Sequence, residues 1–365
     1  MKTAILSMQR VVNYGSVLQA WSLREMIRDV TGEEAVFLDI EDQPAVESSG
    51  SVKTSADYET AAHYSRSLFQ RGKRWIIARL SANNKKRIRA FMCHELHLTK
   101  ENNAGAYDHV VIGSDEVFNH VRGVRLQLHG AVRQAEHVIS YAASCGSARA
   151  EDIPKEHLDS VRRAMSKLEA VSVRDAGTAQ YVRQLYDGDV LHHLDPVLMG
   201  PLHTRKAKRV WLKKYLLVYA YGQRIRTAEE IGAIRRYAKE KGLTIVAMGG
   251  SQFWCDLYVP ASPMRMLDWF AHADCVVTDT FHGAIFSVIN RRRFAVLIRK
   301  SNANKLTSLL KDLHLSDQRV SDVNILDSVL DHEPDYNAVD MLLEGERIRA
   351  RAYLKEHLLH EESAR

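Results

Sequence analysis

The sequence predicts an α/β protein with two Rossmann-like domains that face a cleft. Short apolar, β-branched runs alternate with segments of helical period, and this alternation occurs in both halves of the chain. Residues 195–208 interrupt the alternation with two prolines and a glycine. The 365 residues also exceed the roughly 250–300 that one core usually holds. We expect an N-terminal domain over residues 1–198, a C-terminal domain over 199–335 and a helical tail over 336–365.

The first half begins with the clearest strand and helix pair. A strand at 3–6 is followed by the turn Asn13–Ser16 and then by apolar residues at helical spacing. The polar, turn-rich residues 41–57 predict a loop. Further strands are predicted at 35–40, 109–112, 137–141, 170–173 and 190–194, and helices at about 155–168 and 176–186.

The second half repeats the pattern. Its predicted strands are 215–221, 243–248, 275–278 and 294–298, and its predicted helices are 227–240, 263–272, 281–290, 303–313 and a charged helix at 338–362. Open parallel sheets bind ligands at the carboxyl ends of their strands. We therefore expect a GT-B-like arrangement with ligands between the two domains.

Composition excludes several classes of protein. With 45% hydrophobic and 26% charged residues, the chain is typical of globular proteins. No apolar stretch approaches the roughly 20 residues that span a bilayer, and the N-terminal apolar run is too short for a signal peptide. We expect a cytoplasmic protein, with peripheral contact at the inner membrane face as an open alternative.

Metal and cofactor patterns are weak in this sequence. Four scattered cysteines show no CxxC spacing, and the histidine-containing tracts 93–97 and 192–193 each lack a convincing third ligand. No P-loop or GxGxxG occurs. We expect no metal and no resident cofactor.

The formal charge of +6 is unevenly distributed. Residues 66–89 contain nine Lys/Arg and no acid, together with apolar residues that include Trp75, Ile76 and Ile77. A helix here would have a basic face beside an apolar one, and we place it in the N-terminal domain. Two interpretations are open: a solvated helix, or a surface for anionic lipid headgroups or a lipid-linked acceptor. Nucleic acid is disfavoured because no zinc-finger, RNP-like or helix-turn-helix pattern accompanies the charge. Nothing indicates an oligomeric state.

The sharpest local pattern is a buried strand that ends in Thr278-Asp279-Thr280 and continues into Phe281-His282-Gly283. Asp279 or Thr280 would cap the following helix, whose first amides and positive dipole end favour a phosphate or carboxylate. Gly283 would let a ligand approach the backbone closely. His282 could exchange a proton there, or it could simply pack on the neighbouring strand.

Cations and carboxylates follow other predicted strands. Arg299, Lys300 and Lys305 follow the strand at 294–298 and could neutralise a phosphorylated ligand. Arg174 could hold a carboxylate, or it could pair with Asp175 or Asp195 as a structural clamp.

Two candidate segments of the N-terminal half face the predicted cleft. Gly113-Ser114-Asp115 ends a strand, and Asp115 could accept or orient the proton of a sugar hydroxyl, or only satisfy local amides. In the turn Asn13-Tyr14-Gly15-Ser16, Asn13 or Ser16 could cap the first helix, or the turn could contact an acceptor.

Six blocks in this order resemble the polysaccharide pyruvyl transferase family. They are NYGSVLQAWSL, DHVVIGSDEVFN, ISYAASCGS, SVRDAGTAQYV, LDPVL and VVTDTFHGAIFSVINRRRFAVL, and the resemblance spans roughly residues 3–320. It implies a GT-B-like fold and transfer of pyruvate from phosphoenolpyruvate, as co-substrate, to a sugar of a polysaccharide or lipid-linked glycan precursor as a ketal. This activity belongs to exopolysaccharide biosynthesis at the cell envelope.

The resemblance also implies roles for individual residues. His282 would be the acid/base, and the segment Asp279–Gly283 with nearby cations would hold the donor. Some family members carry arginine where this chain has Thr280, which leaves the donor phosphate to Arg174, Arg299, Lys300 or Lys305. Residues Asn13–Ser16 and Gly113–Asp115 would face the acceptor. The alternatives are a GT-B nucleotide-sugar glycosyltransferase and a non-catalytic glycan-binding relative.

Overall fold

The computed structural model describes residues 2–41, 68–121, 123–222, 224–299 and 301–359. It contains two six-stranded sheets in which every strand pair is parallel, which confirms the predicted α/β class with two Rossmann-like units. The strands are β1 Thr3–Leu6, β2 Val36–Leu38, β3 His109–Asp115, β4 His137–Ala143, β5 Val171–Val173, β6 Val190–His192, β7 Tyr215–Ala220, β8 Thr244–Gly249, β9 Leu257–Tyr258, β10 Cys275–Thr278, β11 Arg293–Leu297 and β12 Arg319–Val320.

Helices connect most of these strands. They are α1 Tyr14–Thr31, α2 Leu68–Glu95, α3 Lys155–Met165, α4 Ala176–Arg183, α5 Pro196–Met199, α6 Ala228–Lys241, α7 Pro263–His272, α8 Phe281–Ile289, α9 Ala303–Asp312, α10 Leu326–Asp331 and α11 Tyr336–Leu359. No helix among the described residues has both the length and the apolar character that a membrane span requires.

The described residues divide into two compact units. The first unit contains residues 2–41, 92–203 and 340–359, and the second contains 68–91 and 204–339. The main boundary therefore lies five residues after the predicted one at 198. Helix α11 packs on the first unit, where the Tyr353 hydroxyl donates to the Ser140 carbonyl at 2.7 Å.

The expectation that the basic segment 66–89 belongs to the N-terminal domain is wrong. Its described part, in α2, packs on the second unit because Ile77 lies in that unit's hydrophobic core. Lys73 Nζ also donates to the Cys255 carbonyl at 2.6 Å, and Asn84 Oδ1 accepts from the Ala261 amide at 3.0 Å. Residues 66 and 67, and 42–57 of the predicted loop, lie outside the described residues.

The strand order of each sheet has one point at which its direction reverses. In the first unit the order is β2-β1-β3-β4-β5-β6, so the order reverses between β1 and β3. In the second unit it is β12-β11-β10-β7-β8-β9, so the reversal lies between β7 and β10. Ligands of open α/β sheets bind at the carboxyl ends of the strands at such switch points. Of the segments singled out from sequence, 113–115 forms the carboxyl end of β3 and 278–283 begins at the carboxyl end of β10, so one lies at each switch point.

Candidate functional site

The switch point of the second unit is built around the end of β10. All four residues of β10 are buried, and the Thr278 hydroxyl donates to the Tyr219 carbonyl at 2.6 Å, which joins β10 to the end of β7. Of the two predicted caps, Thr280 is the one used: its hydroxyl accepts from the Gly283 amide at 2.9 Å. Helix α8 therefore begins at Phe281, two residues after the buried Asp279.

Gly283 has a packing role that its sequence context does not show. A Cβ atom at this position would overlap Thr278 Oγ1 and crowd Thr280 Oγ1. The expectation that Gly283 admits a ligand to the backbone is therefore wrong, because threonine hydroxyls already occupy that space and its amide is bonded to Thr280.

Asp279 is the centre of a cluster of charged side chains. Its carboxylate is fully buried, and its Oδ2 lies 3.1 Å from Arg224 Nε and 3.5 Å from Arg299 Nε. The two arginine side chains are 26% and 24% exposed. A buried acid thus holds two guanidinium groups that still reach solvent, and guanidinium groups can bind the oxygens of a carboxylate or phosphate.

Neighbouring groups fix this cluster in place. Glu230 Oε1 accepts from Arg299 Nη1, Asn302 Nδ2 donates to the Asp279 carbonyl at 2.6 Å, and Arg224 Nη2 donates to Ser301 Oγ at 2.7 Å. Burial raises the pKa of Asp279, and the two arginines offset only part of that rise. Among the described residues, Asp279 Oδ1 and Arg299 Nη2 are buried without a hydrogen-bond partner. Buried polar atoms of this kind are costly unless a ligand or water satisfies them.

His282 is the second residue of α8, three residues beyond Asp279. It is partly exposed, and its ring centroid lies 5.4 Å from that of Phe281 and 5.9 Å from that of Phe286. Lys305 Nζ, from the first turn of α9, lies 6.0 Å from the Phe281 ring centroid. Lys300 lies outside the described residues. The structure therefore gathers the predicted residues 279–283, Arg299 and Lys305 at one edge of the second sheet.

Arg224 is a member of this site that was not predicted from sequence. It follows β7 in the polar stretch Tyr221–Arg226, which matches no motif. Arg224 reaches Asp279 because β7 and β10 pair as neighbours, although 55 residues separate the two side chains in sequence. The sequence feature that could have pointed to Arg224 is the predicted strand at 215–221. A doubly wound sheet can place the carboxyl end of this strand beside the Thr278–Gly283 segment.

The first unit has its own cluster at the β1–β3 switch point. Asn13 caps α1 by accepting from the Ser16 amide at 2.7 Å, and Ser16 Oγ donates to Asp115 Oδ2 at 2.5 Å. The Glu116 amide donates to Asp115 Oδ1 at 3.0 Å. Asp115 has a left-handed φ of 75°, a conformation in which non-glycine residues are uncommon, and its side chain is 14% exposed. It is therefore fixed in orientation yet open at one side.

Arg174 forms a clamp in this cluster. Its side chain is 1% exposed, and its Nη1 donates to Asp195 Oδ2 at 2.8 Å while its Nη2 lies 3.6 Å from Asp115 Oδ1. The clamp interpretation, with Asp195 as the partner, describes this geometry. The alternative role in donor binding does not fit, because the guanidinium of Arg174 is buried and a ligand could not replace its ion pair with Asp195 without leaving that carboxylate buried and unpaired.

Other predicted acceptor residues are internal to the fold. Tyr14, Gly15 and Ser114 are buried, and the Ser114 hydroxyl donates to the Ala142 carbonyl at 2.8 Å. Gly113 has a φ of 129°, and a Cβ there would overlap the Tyr141 carbonyl oxygen. These residues shape the end of β3, and only Asn13 and Asp115 of the predicted set are part-exposed. Among the described residues, no three or more His, Cys, Asp or Glu side chains form a group that could hold a metal ion.

Comparison with known proteins identifies a family whose model matches this chain. The model of the polysaccharide pyruvyl transferase family matches residues 13–301. No curated protein matches the chain. Solved structures similar to this chain include the UDP-GlcNAc 2-epimerase of Methanocaldococcus jannaschii, at 9% identity and a TM-score of 0.49, covering 97% of this chain and 100% of the other. A Streptomyces glycosyltransferase, SsfS6, is similar at 12% identity and a TM-score of 0.47, covering 98% and 99%.

Proposed function

The chain belongs to the polysaccharide pyruvyl transferase family, and we propose that it transfers pyruvate from phosphoenolpyruvate to a sugar of a polysaccharide or lipid-linked glycan precursor as a ketal. The observation that carries this proposal is the placement of Arg224 and Arg299 around the buried carboxylate of Asp279. Phosphoenolpyruvate has a phosphate and a carboxylate on a three-carbon frame. Two partly exposed guanidinium groups suit such a ligand because each can bind an oxyanion through paired N–H donors.

Asp279 positions the two arginines. It approaches both of them through Oδ2 and lies fully buried, while Glu230 holds Arg299 from a second direction. An arginine held in this way loses little conformational freedom when an anion binds. The cluster supplies the donor cations although Thr280 stands where some family members carry arginine, and Lys305 adds a further positive charge at the start of α9.

His282 serves as the acid/base. In the proposed step, the imidazolium gives a proton to the methylene carbon of phosphoenolpyruvate, which makes its C2 an oxocarbenium-like centre. One sugar hydroxyl attacks C2, the bond from C2 to the phosphate oxygen breaks, and a second hydroxyl closes the ketal. The two hydroxyl protons balance the proton added to the methyl group and the proton taken by phosphate. Arg224 and Arg299 stabilise the departing phosphate.

Asp115 in the first unit orients the acceptor hydroxyl. Ser16, the Glu116 amide and Arg174 hold its carboxylate, and its open side leaves it able to accept a hydrogen bond from a sugar. The acceptor in this proposal is a saccharide. Nucleic acid has no role in the proposed reaction.

The experiment is a phosphate-release assay with phosphoenolpyruvate and candidate glycan acceptors, followed by mass spectrometry of the glycan. We expect phosphate release that depends on the acceptor, with a gain in glycan mass equal to one ketal-linked pyruvate. His282→Ala should lower turnover by roughly 10²- to 10⁴-fold, the usual contribution of an acid/base group.

The matched control is His332→Ala, because His332 is an exposed histidine of the same unit outside the cluster. It should retain full activity. Turnover of a nucleotide sugar in the absence of any use of phosphoenolpyruvate would overturn the proposal. Unchanged turnover in His282→Ala would remove His282 from the mechanism.

A further inference from the structure

Helix α2 has an inner face and an outer face with different chemistry. Ile77, Asn84, Ile88 and Phe91 are buried and recur at helical spacing, which fixes the inner face on the second unit. The outer face consists of exposed residues, which we define as Trp75, Ile76, Arg79, Lys85, Lys86, Arg87 and Arg89, and four of them, Trp75, Ile76, Arg79 and Lys86, line a surface groove. A simple amphipathic helix would turn all of its large apolar residues inward, whereas Trp75 and Ile76 of this helix lie on the outer face.

Two large apolar side chains of the outer face stand in solvent. Trp75 is 63% exposed and the adjacent Ile76 is 52% exposed. The Arg79 guanidinium carbon lies 5.6 Å from the centroid of the Trp75 ring, so a cation covers part of the indole. Tryptophan next to arginine is typical of side chains that lie at a membrane–water boundary, where an apolar ring and a charge are both accommodated.

The charge around these residues has one sign. Arg79, Lys85, Lys86, Arg87 and Arg89 are all exposed, and no acidic residue occurs between positions 66 and 94. Within the described part of the chain, none of these five cations forms an ion pair. Lys73 and Arg74 are different, because Lys73 bonds the Cys255 carbonyl and Arg74 lies over the Phe253 ring. The positive charge that no described acid pairs therefore lies along the exposed side of α2, from Arg79 to Arg89.

We propose that the outer face of α2 binds the anionic surface of a lipid bilayer. The five cations attract acidic headgroups, and Trp75 and Ile76 enter the boundary between headgroups and acyl chains. A second copy of the chain is a poorer occupant, because two such faces would repel each other. Binding of this face to a bilayer would bring the second unit to the surface where a lipid-linked acceptor resides. The binding itself does not depend on the proposed reaction of phosphoenolpyruvate.

The test is flotation of the full chain with vesicles, in the absence of donor and acceptor. Vesicles of phosphatidylcholine with about one third phosphatidylglycerol should bind the protein, and pure phosphatidylcholine vesicles should not. Salt at about 0.5 M should release it, because the attraction is screened. Replacing Lys85, Lys86 and Arg87 together by alanine should weaken partitioning roughly 100-fold, and Trp75→Ala roughly 5- to 10-fold.

Matched variants make the result specific to this face. Lys239, Lys311 and Arg319 are exposed residues of the same unit, and their joint replacement by alanine removes the same charge. The control for Trp75→Ala is Trp211→Ala. Trp211 is 71% exposed, belongs to the same unit and has basic residues close to it in sequence. Both control variants should bind vesicles normally.

Several outcomes would overturn the inference. These are equal binding to both kinds of vesicle, no binding to either, an equal loss in the control charge variant, or a loss in Trp211→Ala that exceeds the loss in Trp75→Ala. Sedimentation that shows a dimer abolished by Trp75→Ala would assign the face to a second copy instead. Because no donor is present, failure here is distinct from failure of pyruvyl transfer.

Discussion

The two switch points use the same residue types in opposite ways. In the first unit, a fully buried arginine, Arg174, lies between two carboxylates, Asp195 and Asp115. In the second unit, a fully buried carboxylate, Asp279, lies between two arginines that are about one quarter exposed. In both cases the buried member forms ion pairs with two groups of opposite charge, but the group left at the surface differs. The first unit presents an acid and the second presents cations.

This difference predicts a different role for each cluster. A buried charge with two opposite partners stabilises the ends of the strands it joins, and it cannot be given up to a ligand without leaving its partners unpaired. Arginines that retain solvent contact can accept an anionic ligand while the acid beneath keeps them oriented. We therefore expect substitutions in the first cluster to reduce stability and substitutions in the second to reduce binding of an anion.

The largest expected effect is that of Arg174→Met. It would leave the buried Asp195 without its cation, so we expect the free energy of unfolding to fall by about 3–5 kcal/mol. Urea denaturation measures this loss, and hydrogen exchange should localise it to β3–β6.

Arg162→Met is the control for Arg174→Met, because Arg162 is an exposed arginine of the same unit that forms a long ion pair, 3.9 Å, with the exposed Asp159. It should lose less than about 1 kcal/mol. If Arg174→Met instead left stability intact and weakened phosphoenolpyruvate binding, Arg174 would be a donor cation after all and the comparison would fail.

A smaller effect is expected from Gly283→Ala in the second cluster. The new methyl group would overlap the Thr278 hydroxyl, so we expect a loss of about 1–3 kcal/mol in the free energy of unfolding. Gly232→Ala, in the interior of α6 with open space around it, should instead gain about 0.4–1 kcal/mol. Unchanged stability in Gly283→Ala, combined with lost donor affinity, would show that this glycine admits a ligand.

The smallest effect concerns acid sensitivity of the first unit. Burial, helped by Arg349, lowers the pKa of His193 to about 4, from an ordinary value of 6.5. The unfolded chain therefore binds a proton at pH values where the folded His193 does not, and stability falls as the pH drops below about 6.5 until it reaches the folded pKa. Between pH 7 and 5.5 this loss amounts to about 1 kcal/mol.

His193→Gln should remove that part of the pH dependence, as measured by urea denaturation at both pH values. His332→Gln, at an exposed position of the second unit, should leave the pH dependence as it is in the unsubstituted chain. An identical pH dependence in His193→Gln would mean that the histidine is not responsible.

Much of the fold follows from local sequence. The predicted segments 263–272 and 275–278 match α7 and β10 to the residue, because proline, the capping positions and β-branched runs mark their ends. The edge strands β9 and β12 have two residues each, too few for a periodic pattern. The placement of α2 on the second unit depends on contacts such as Ile77 with that unit's core, and such distant contacts leave no local signal.

The candidate site, like the fold, could be predicted from local sequence only in part. Thr280, His282 and Arg299 were accessible from sequence because each adjoins a recognisable strand end. Arg224 and Glu230 were not, since their importance comes from the pairing of β7 with β10 and from the reach of Arg299. Whether Arg174 was a clamp or a ligand also required the structure, because only burial and distances separate the two roles.

The most direct test of the contrast between the two clusters is calorimetric binding of phosphoenolpyruvate to the full chain and to Arg224→Ala. Loss of a charged hydrogen-bond partner is worth about 1.5–3 kcal/mol, so affinity should fall roughly 10- to 100-fold. Arg236→Ala, which removes an exposed arginine paired with Asp327, should bind as the unsubstituted chain does. Equal affinity in Arg224→Ala and the unsubstituted chain would contradict the assignment of the second cluster as the donor site.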